Sequence, residues 1–506
     1  DLAIQASGAI TVPIYPSLTA ATAQRIVRDC GAELAIVSGQ ELVQHLASGG
    51  EPRRIVRMDR EVAEWTQTEV EGGLLDAVST RAAALKGSDV ATVIYTSGTT
   101  GEPKGAVIPH ESMVAMAEAS RAAFELRPDD VLLSFLPYSH VFERVSGIFV
   151  PISAGASIWI SRGGDHLVDD IAAVRPTLMM GVPRVFEKVV DAVQQEVSQQ
   201  RLARRVIARW VLRRRIGHQL VDRLVVPTLR RRLTGGRLRF FISGGAPLTA
   251  DVEDFFWRLG VPIYQGWGLT ETTSAVSANR PGARRAGTVG TPLPGVEVKV
   301  ADDGELLVRG PGVMRGYYRN PDATADVFAD GWFRTGDIGT IDADGYITIT
   351  DRKKDLIKTA GGKFIAPQPL EARLQRYRYI AAAMLVGDQR PYVAALILPA
   401  WGPLTRDQHL KGTPEQLVED ERVRSLIKDG IDALNRELAS FETIKRFRLV
   451  SREFTEANGE LTPSLKIKRR VLQQRYQRLI DEMYRAPRSP EAATAAERQR
   501  PQGGGS

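Results

Sequence analysis

The chain has 506 residues, a length that excludes a single hydrophobic core. Of these residues 43% are hydrophobic and 25% are charged, a composition that excludes a largely disordered chain. Its one cysteine, Cys30, excludes an intramolecular disulfide framework and is typical of a reducing compartment. There is no uninterrupted apolar run of about 18 residues, which argues against a membrane-spanning helix. The net charge of +7 is concentrated in residues 201–239, which hold thirteen arginines and one acid, so the rest of the chain carries −5.

The first half of the chain alternates short apolar runs with segments of helical spacing. Buried strands are predicted at 9–15, 33–39, 90–98 and 131–137, and helices at 20–30 and 112–124. Strand-then-helix repetition predicts an α/β fold, with a large N-terminal domain built on mostly parallel sheets covered by helices. Ligands of such sheets bind where strands end and loops begin.

From residue 287 the pattern changes to short strands, such as 305–309 and 346–350, separated by turn signals. This pattern predicts a β-rich subdomain over about 287–350, at the end of a large domain that covers 1–350. The charged "DRKKD" at 351–355 is predicted to be a hinge, followed by a small mobile α+β domain at 356–480. Residues 481–506 are rich in alanine, proline and charge and are predicted to be a disordered tail or linker.

The stretch "YTSGTTGEPKG", 95–105, has the composition of an anion-binding loop. Glycines allow close backbone approach to an anion, and hydroxyls and one ammonium group supply further donors. The loop is not a P-loop, because Lys104 is not followed by serine or threonine. A flexible surface turn is the alternative interpretation. The candidate residues are Thr96, Ser97, Gly98, Thr99, Thr100, Gly101 and Lys104.

Two further segments, "ISGGAPL" (242–248) and "YQGWGLTET" (264–272), each follow an apolar strand. Trp267, between two glycines, is a candidate to present an aromatic face to a purine. Glu271 is a candidate ligand for Mg²⁺ that bridges phosphates. Asp337, in "GWFRTGDIG", is a candidate acceptor for ribose hydroxyls. The alternatives are a packed tryptophan in a tight turn and a turn aspartate.

Together and in this order, these segments resemble the adenylate-forming superfamily, and the resemblance extends from residue 95 to about 469. "LPYSHVFERV", "GVPRVFEKV", "GGRLRFFISGGAPL" and "DRKKDLIKTAGGKFIAPQPLE" look most like long-chain fatty acyl-CoA synthetases. The resemblance implies a long-chain-fatty-acid–CoA ligase, which uses ATP, Mg²⁺ and CoA. Such an enzyme forms acyl-AMP with release of pyrophosphate and then transfers the acyl group to CoA. The first part of the family's large domain is expected to be absent here.

The resemblance also implies roles for single residues. The loop 96–104 would hold the β- and γ-phosphates of ATP, Thr270 the α-phosphate and Glu271 the metal. Asp337 and Arg352 would hold the ribose, and His140 would lie near the carboxylate and the acyl entrance. The residues that would line the adenine are Gly245, Ala246, Pro247, Gln265, Gly266 and Trp267, and Gly268 is a further candidate for binding the cofactor.

In the C-terminal "LTPSLKIKRR", 461–470, the resemblance implies a lysine that stabilises charge in the first step. Lys466 holds the motif position, with Leu465 in place of the frequent glycine. Lys468 would point the same way on an extended segment, so only the motif alignment favours Lys466. A lysine needed in one step implies rotation of the small domain, with Lys354 as the pivot. After rotation, Gly361, Gly362 and Lys363 would face CoA.

Apolar residues spaced by four from Val189 to Leu224 predict an amphipathic helix covered by arginines. A solvated helical face and a peripheral membrane contact through 201–239 both remain open. Nucleic-acid binding is disfavoured, because no recognition module accompanies the charge. The expected location is the cytoplasm, with or without contact to the membrane surface.

Two rival functions remain. One is a fatty acyl-AMP ligase that loads a carrier protein in trans, and no carrier segment follows Arg470, which favours free CoA. The other is a non-catalytic, membrane-associated homologue. The presence of Thr270, Glu271 and Lys466 argues against that second rival.

Overall fold

The computed structural model describes residues 1–47, 52–65, 72–97, 102–199, 230–231, 233–455, 458–461 and 467–485. The chain divides into two compact units, the first covering Asp1–Lys354 and the second beginning at Asp355. This division lies within the segment 351–355. Each unit has its own apolar cores.

The described strands, in chain order, are β1 (Leu34–Val37), β2 (Arg54–Arg57), β3 (Val90–Ser97), β4 (Pro103–Pro109), β5 (Val131–Ser134), β6 (Ser157–Ile160), β7 (Leu178–Gly181), β8 (Phe240–Ser243), β9 (Ile263–Leu269), β10 (Ser274–Ala278), β11 (Thr291–Pro292), β12 (Glu297–Val300), β13 (Glu305–Arg309), β14 (Phe328–Ala329), β15 (Trp332–Ile341), β16 (Ile347–Arg352), β17 (Ile357–Lys358), β18 (Phe364–Ile365), β19 (Ile380–Val386), β20 (Val393–Pro399) and β21 (Ile444–Leu449).

The described α-helices of the first unit are Leu2–Ala6, Ala20–Cys30, Gln40–Ala47, Ala63–Trp65, Gly72–Ala84, His110–Phe124, Val141–Arg144, Val150–Ala154, Leu167–Val174, Pro183–Gln199, Ala250–Arg258 and Pro321–Val327. Those of the second unit are Pro367–Gln375, Trp401–Asp407, Pro414–Leu417, Glu421–Asn435, Arg469–Arg475 and Gln477–Tyr484. Within the described part of the chain, no helix combines the length and the apolar character that crossing a membrane requires.

A seven-stranded sheet forms the centre of the first unit, in the order β11-β10-β9-β8-β7-β5-β6. Its pairs from β6 through β9 are parallel, and only β10 and β11 run antiparallel to their neighbours. Successive side chains of a strand point to opposite faces. Leu132 and Phe240 therefore join one buried cluster with the helix His110–Phe124, while Leu133 and Phe241 join another. The predicted α/β class is confirmed.

Three of the predicted strands differ from the structure. Residues 9–15 form only one isolated bridge, from Thr11 to Thr92, because Pro13 lacks the N–H that a ladder needs. β1 pairs only with β2, and its Leu34 is 48% exposed, so it is not the buried strand expected. β3 is not part of the seven-stranded sheet, because it pairs with β4, antiparallel, in a separate two-stranded sheet.

The β-rich part of the first unit is a five-stranded sheet in which β12, β13, β15 and β14 are neighbours and β16 pairs with β15. All these pairs are antiparallel. The register of β15 and β16 places Asp337 opposite Arg352. Asp337 and Arg352, which belong to two different sequence motifs, are therefore direct neighbours across the two strands.

The second unit contains the mixed sheet β19-β20-β21, whose central strand β20 is buried throughout. The boundary of the predicted tail was wrong, since residues 481–484 belong to the helix Gln477–Tyr484. Ile480 and Met483 lie three residues apart on one helical face and are buried against β20, and Asp481 pairs with Arg390 at 2.6 Å. Residues 486–506 lie outside the described residues.

Candidate active site

The described residues of the predicted phosphate loop lie on the paired ends of β3 and β4. Thr96 lies opposite Lys104 and Ser97 opposite Pro103, and the Thr96 hydroxyl donates to the Lys104 carbonyl at 3.5 Å. The turn residues Gly98, Thr99, Thr100 and Gly101 lie outside the described residues. The pairing of β3 with β4 therefore determines the position of Lys104 relative to Thr96.

Lys104 and Glu271 both contact Tyr317. The Lys104 Nζ lies 5.2 Å from the centroid of the Tyr317 ring, and the Tyr317 hydroxyl donates to Glu271 Oε1 at 2.9 Å. Burial, followed by the negative charge of Glu271, raises the pKa of the Tyr317 phenol above its usual value, so the hydroxyl remains a donor. Sequence reasoning missed Tyr317, which is 46 positions from Glu271 in the chain, so no spacing signal connects the two residues.

Trp267, Asp337 and Arg352 form a second cluster. The Trp267 Nε1–H donates to Asp337 Oδ2 at 2.8 Å, and Arg352 Nε lies 2.6 Å from Asp337 Oδ1. Trp267 is only 9% exposed and packs in an apolar cluster with Val276 and Val308. This packing agrees with the alternative of a packed tryptophan, and the contact of Trp267 with a purine stays a prediction. The Trp267 indole holds the carboxylate predicted to bind ribose.

The two glycine-containing segments differ in structure, since residues 245–247 follow β8 and residues 265–268 belong to the strand β9. Gly245 has a φ of +83°, a conformation that favours glycine, and precedes Ala246 and Pro247. At Gly268 a Cβ would lie 1.7 Å from the Ser274 carbonyl oxygen, so no side chain fits there. Gln265 is buried and its carbonyl accepts from the Asn279 N–H at 2.9 Å. Gly245 and Pro247 are exposed after β8, whereas within β9 Gly268 is exposed and Gly266 is partly buried.

Thr270 and Glu271 lie on a single helical turn, Thr270–Thr272, directly after β9. The Thr272 side chain caps this turn, since its hydroxyl accepts from the Leu269 N–H at 2.9 Å. The Glu271 carbonyl accepts from the Met314 N–H at 2.8 Å. Thr270 and Glu271 are both half-buried, so their side chains are held at the carboxyl end of a sheet strand, where the fold class places ligands.

His140 is the N-cap of the helix Val141–Arg144, and its Nδ1 accepts from the Phe142 N–H at 3.1 Å. A neutral His140 therefore carries its proton on Nε2. The Phe142 ring packs against Gly244, where a Cβ would lie 3.2 Å from it. Phe142 thus connects His140 to the turn that begins at Gly245, a contact that the motifs did not suggest.

The same short helix carries two buried charged residues that sequence reasoning missed. Glu143 is 1% exposed and accepts a hydrogen bond from the Ser134 hydroxyl. Burial raises the pKa of Glu143 to about 7. Arg144 donates to Asp1 Oδ1 at 2.5 Å and to Thr11 Oγ1 at 2.7 Å, and burial lowers its pKa to about 10. These side chains fix the helix that His140 caps.

The residues predicted to face CoA lie on the exposed turn between β17 and β18. Gly361, Gly362 and Lys363 are exposed, and the Thr359 N–H donates to the Lys363 carbonyl at 3.0 Å. The Lys363 Nζ lies 5.8 Å from the centroid of the Phe441 ring. Lys354, the predicted pivot, is the last residue of the first unit.

Lys466 lies outside the described residues, so its predicted role stays a prediction. Lys468 is described, as the N-cap of the helix Arg469–Arg475. Its N–H donates to the Glu460 carbonyl at 2.8 Å, and Leu461 pairs with Ile467 in an isolated bridge. The residues that precede and follow 462–466 are therefore hydrogen-bonded to each other.

Most of the arginine-rich stretch, 201–229 and residue 232, also lies outside the described residues. Of the described members, Arg239 pairs with Asp130 at 2.6 Å and lies 5.2 Å above the Phe240 ring. Arg230 Nη2 donates to the Leu238 carbonyl at 3.2 Å. These two arginines have contacts inside the fold and do not belong to a purely solvated charge run.

Comparison with known proteins agrees with this organisation. The family profile "AMP-binding enzyme" matches residues 1–318, and "AMP-binding enzyme C-terminal domain" matches 354–488. The long-chain-fatty-acid–CoA ligase FadD15 of Mycobacterium tuberculosis (strain ATCC 25618 / H37Rv) is 36% identical, over 96% of this chain and 85% of that protein. The peroxisomal long chain acyl-CoA synthetase 7 of Arabidopsis thaliana is 34% identical, over 79% of this chain and 61% of that protein.

Solved structures share the fold. ATP-bound MatB from Rhodopseudomonas palustris superposes with a TM-score of 0.69 at 25% identity, over 94% of this chain and 85% of that one. The A-PCP didomain of the carboxylic acid reductase from Segniliparus rugosus, in complex with AMP, superposes with a TM-score of 0.72. Its sequence is 24% identical, and the match covers 98% of this chain and 71% of that one. The chain therefore belongs to the adenylate-forming superfamily of AMP-binding enzymes, with relatives named long-chain-fatty-acid–CoA ligases.

Proposed function

We propose that this chain is a long-chain-fatty-acid–CoA ligase. It joins a long-chain fatty acid to the AMP moiety of ATP with release of pyrophosphate, and it then transfers the acyl group to CoA with release of AMP. The observation that carries this proposal is the 36% identity to a ligase of that name over 96% of the chain. The cluster of Trp267, Asp337 and Arg352 supports it, since it supplies a buried, oriented carboxylate for a nucleotide sugar.

The first step needs neutralisation of like charges. A carboxylate oxygen of the fatty acid forms a bond to the α-phosphorus, the bond from that phosphorus to the bridging oxygen breaks, and pyrophosphate leaves with the electron pair. Lys104, paired with Thr96 in the hairpin, would meet the β- and γ-phosphates together with the hydroxyls of the 96–101 loop. Thr270 would contact the α-phosphate, and Lys466 would stabilise the charge that develops there.

The nucleotide would lie against the two glycine-containing segments. The exposed backbone of Gly245, Ala246 and Pro247 would line one side of the adenine, and Gln265, Gly266 and Gly268 the other. Asp337 and Arg352 would hold the ribose hydroxyls. Trp267 would lie with the adenine-lining residues, and its hydrogen bond to Asp337 would orient the carboxylate that holds the ribose.

The Glu271 side chain fits Mg²⁺ bound jointly with substrate phosphates. Among the described residues there is no group of three His, Cys, Asp or Glu side chains that forms an all-protein metal cage. Mg²⁺ keeps several waters and is commonly held by one or two carboxylates plus phosphates, which is the donor set that Glu271 and ATP would supply. The bound ion would neutralise phosphate charge; Glu271 and its Tyr317 partner would hold its position.

His140 and the second unit complete the proposal. His140, whose Nδ1 accepts from the Phe142 N–H, would lie near the carboxylate at the entrance of the acyl chain. For the second step the small unit would rotate about Lys354, so that Gly361, Gly362 and Lys363 face CoA. The exposed glycines of that turn allow close approach of a pantetheine arm.

The deciding experiment measures pyrophosphate release with ATP, Mg²⁺ and fatty acids of increasing chain length, with and without CoA. We expect release to be strongest with long-chain acids and acyl-CoA to accumulate when CoA is added. Glu271→Gln is the matched control and should release little pyrophosphate. If acyl-AMP accumulates despite CoA and a pantetheinyl carrier protein accepts the acyl group, the carrier-loading alternative is correct.

A further inference from the structure

Tyr317 lies between two side chains of opposite charge. Its hydroxyl donates to the Glu271 carboxylate at 2.9 Å, and its ring faces the Lys104 ammonium at 5.2 Å. The phenol is a neutral donor toward the anion, and the ring face is attractive to the cation. One side chain thereby gives both charges a partner that carries no charge of its own.

Backbone contacts hold Tyr317 in this place. Tyr317 pairs with Ala106 of β4 in an isolated bridge, and the Tyr318 N–H donates to the Gly105 carbonyl at 2.7 Å. The Tyr317 N–H donates to the Thr324 hydroxyl at 2.9 Å. The segment that carries Tyr317 is thus attached to the hairpin that carries Lys104. On the segment that carries Tyr317, the Met314 N–H also donates to the Glu271 carbonyl at 2.8 Å.

This arrangement has a consequence for the unliganded enzyme. Both charged side chains contact Tyr317, so a smaller residue there would let Lys104 and Glu271 approach each other, and an ion pair between them would have to be broken before phosphate and metal bind. We propose that Tyr317 is a positioning residue that keeps Lys104 and Glu271 apart and available, Lys104 for phosphate and Glu271 for Mg²⁺. This inference rests on the proposed function.

Two substitutions separate the two contacts. Tyr317→Phe removes the hydrogen bond to Glu271 and keeps the ring beneath Lys104. Tyr317→Leu removes both. We expect the Phe variant to bind ATP normally without Mg²⁺ and to need about tenfold more Mg²⁺ for tight ATP binding, the effect of one hydrogen bond to a charged group. We expect the Leu variant to bind ATP more weakly even without Mg²⁺, because Lys104 then pairs with Glu271.

The measurement is calorimetric titration of ATP into the full chain at several Mg²⁺ concentrations, without fatty acid, so that no acyl-AMP forms. Tyr318→Phe is the matched control, since Tyr318 is the neighbouring tyrosine and its ring stacks on Arg319 at 5.0 Å; it should behave like the wild type. Melting temperatures show that each variant is folded. Failure of the wild type to bind ATP would contradict the proposed function itself.

If the wild type binds ATP in a Mg²⁺-dependent manner, the inference about Tyr317 stands or falls separately. An unchanged Mg²⁺ requirement in Tyr317→Phe overturns it. Equal loss of ATP binding with and without Mg²⁺ in that variant also overturns it, because it would indicate a general structural role.

Discussion

The Trp267 Nε1–H donates a hydrogen bond of 2.8 Å to the carboxylate of Asp337, 70 residues away in the chain. This contact links β9 of the seven-stranded sheet to β15 of the five-stranded sheet. Arg352 approaches the other carboxylate oxygen at 2.6 Å, and Asp337 is only 3% exposed. The carboxylate is therefore oriented from two sides, and the indole is one of the two groups that orient it.

Replacement of Trp267 by phenylalanine should weaken recognition of the ribose. The ring and most of its packing remain, but Asp337 loses one donor, so we expect KM for ATP to rise about tenfold with a smaller change in kcat. The measurement compares ATP with 2′,3′-dideoxy-ATP in the pyrophosphate-release assay. The dideoxy nucleotide, which has no hydroxyl for Asp337, should show little difference between variant and wild type. Equal losses with both nucleotides would mean that the indole acts through packing alone.

Replacement of Lys466 by alanine should impair acyl-AMP formation about a hundredfold and largely spare the second step. The reason is that phosphate charge develops at the α-position only in the first step. The two half-reactions are measured separately, the second from preformed acyl-AMP plus CoA. Lys468→Ala is the control and should be mild, since the backbone N–H of Lys468, not its side chain, makes the contact with Glu460.

A severe effect of Lys468→Ala would show that the alignment of the C-terminal motif is shifted by two residues. Equal losses in both half-reactions for Lys466→Ala would contradict rotation of the small unit, because a lysine that turns away cannot matter in the second step.

Glu143→Gln should change the pH dependence of stability. Burial raises the pKa of Glu143 from the usual 4.5 to about 7, so the folded chain holds this proton more tightly than the unfolded chain. The resulting stabilisation is fully present below pH 4.5 and is lost as the pH rises through about 7. The variant has no such proton, so its stability relative to the wild type should increase with pH, by at most about 3 kcal/mol.

The measurement is the difference in melting temperature between Glu143→Gln and the wild type at pH 5, 6, 7 and 8. We expect this difference to grow in favour of the variant and to level off above pH 7. Glu111→Gln is a suitable control, since Glu111 is exposed. A difference that stays constant across the range would show that Glu143 is already ionised in the folded chain at pH 5.

The arginine-rich stretch can be tested on vesicles. Replacement of Arg213, Arg214 and Arg215 by serine should reduce binding to anionic vesicles about a hundredfold at low salt, since each basic residue near such a surface contributes about 1 kcal/mol. Arg230 and Arg239 are left intact because they have partners inside the fold. The control carries the same change at three exposed arginines elsewhere, Arg53, Arg60 and Arg478. Equal vesicle binding by both variants would favour the solvated-face interpretation.

Local signals explain which elements could be predicted. The helix Ala20–Cys30 has the predicted bounds because Thr19 caps its first turn and Gly31 adopts the left-handed conformation that ends it. The strand Glu305–Arg309 is likewise confirmed, between turn residues that the sequence displays. These boundaries depend on residues within a few positions of each other, which a sequence shows directly.

Strand partners could not be predicted in the same way. β1 and β3 have the apolar composition of strands from the parallel sheet, yet β1 pairs with β2 and β3 with β4. An apolar run indicates that a strand is buried, but it does not indicate which strand pairs with it. Pairing depends on the connections between strands and on the packing of the whole sheet.

The sequence by itself determined the family, the order of the motifs and the chemistry that they imply, because those depend on residue types at short spacing. The tertiary structure decided that Trp267 orients Asp337 and has a buried ring, that Tyr317 lies between Lys104 and Glu271, and that Glu143 is buried. Each of these depends on contacts between segments that are joined only when the sheets pack. Hydrogen-bond geometry and desolvation, which control the pKa values and the orientation of the site, exist only in the folded chain.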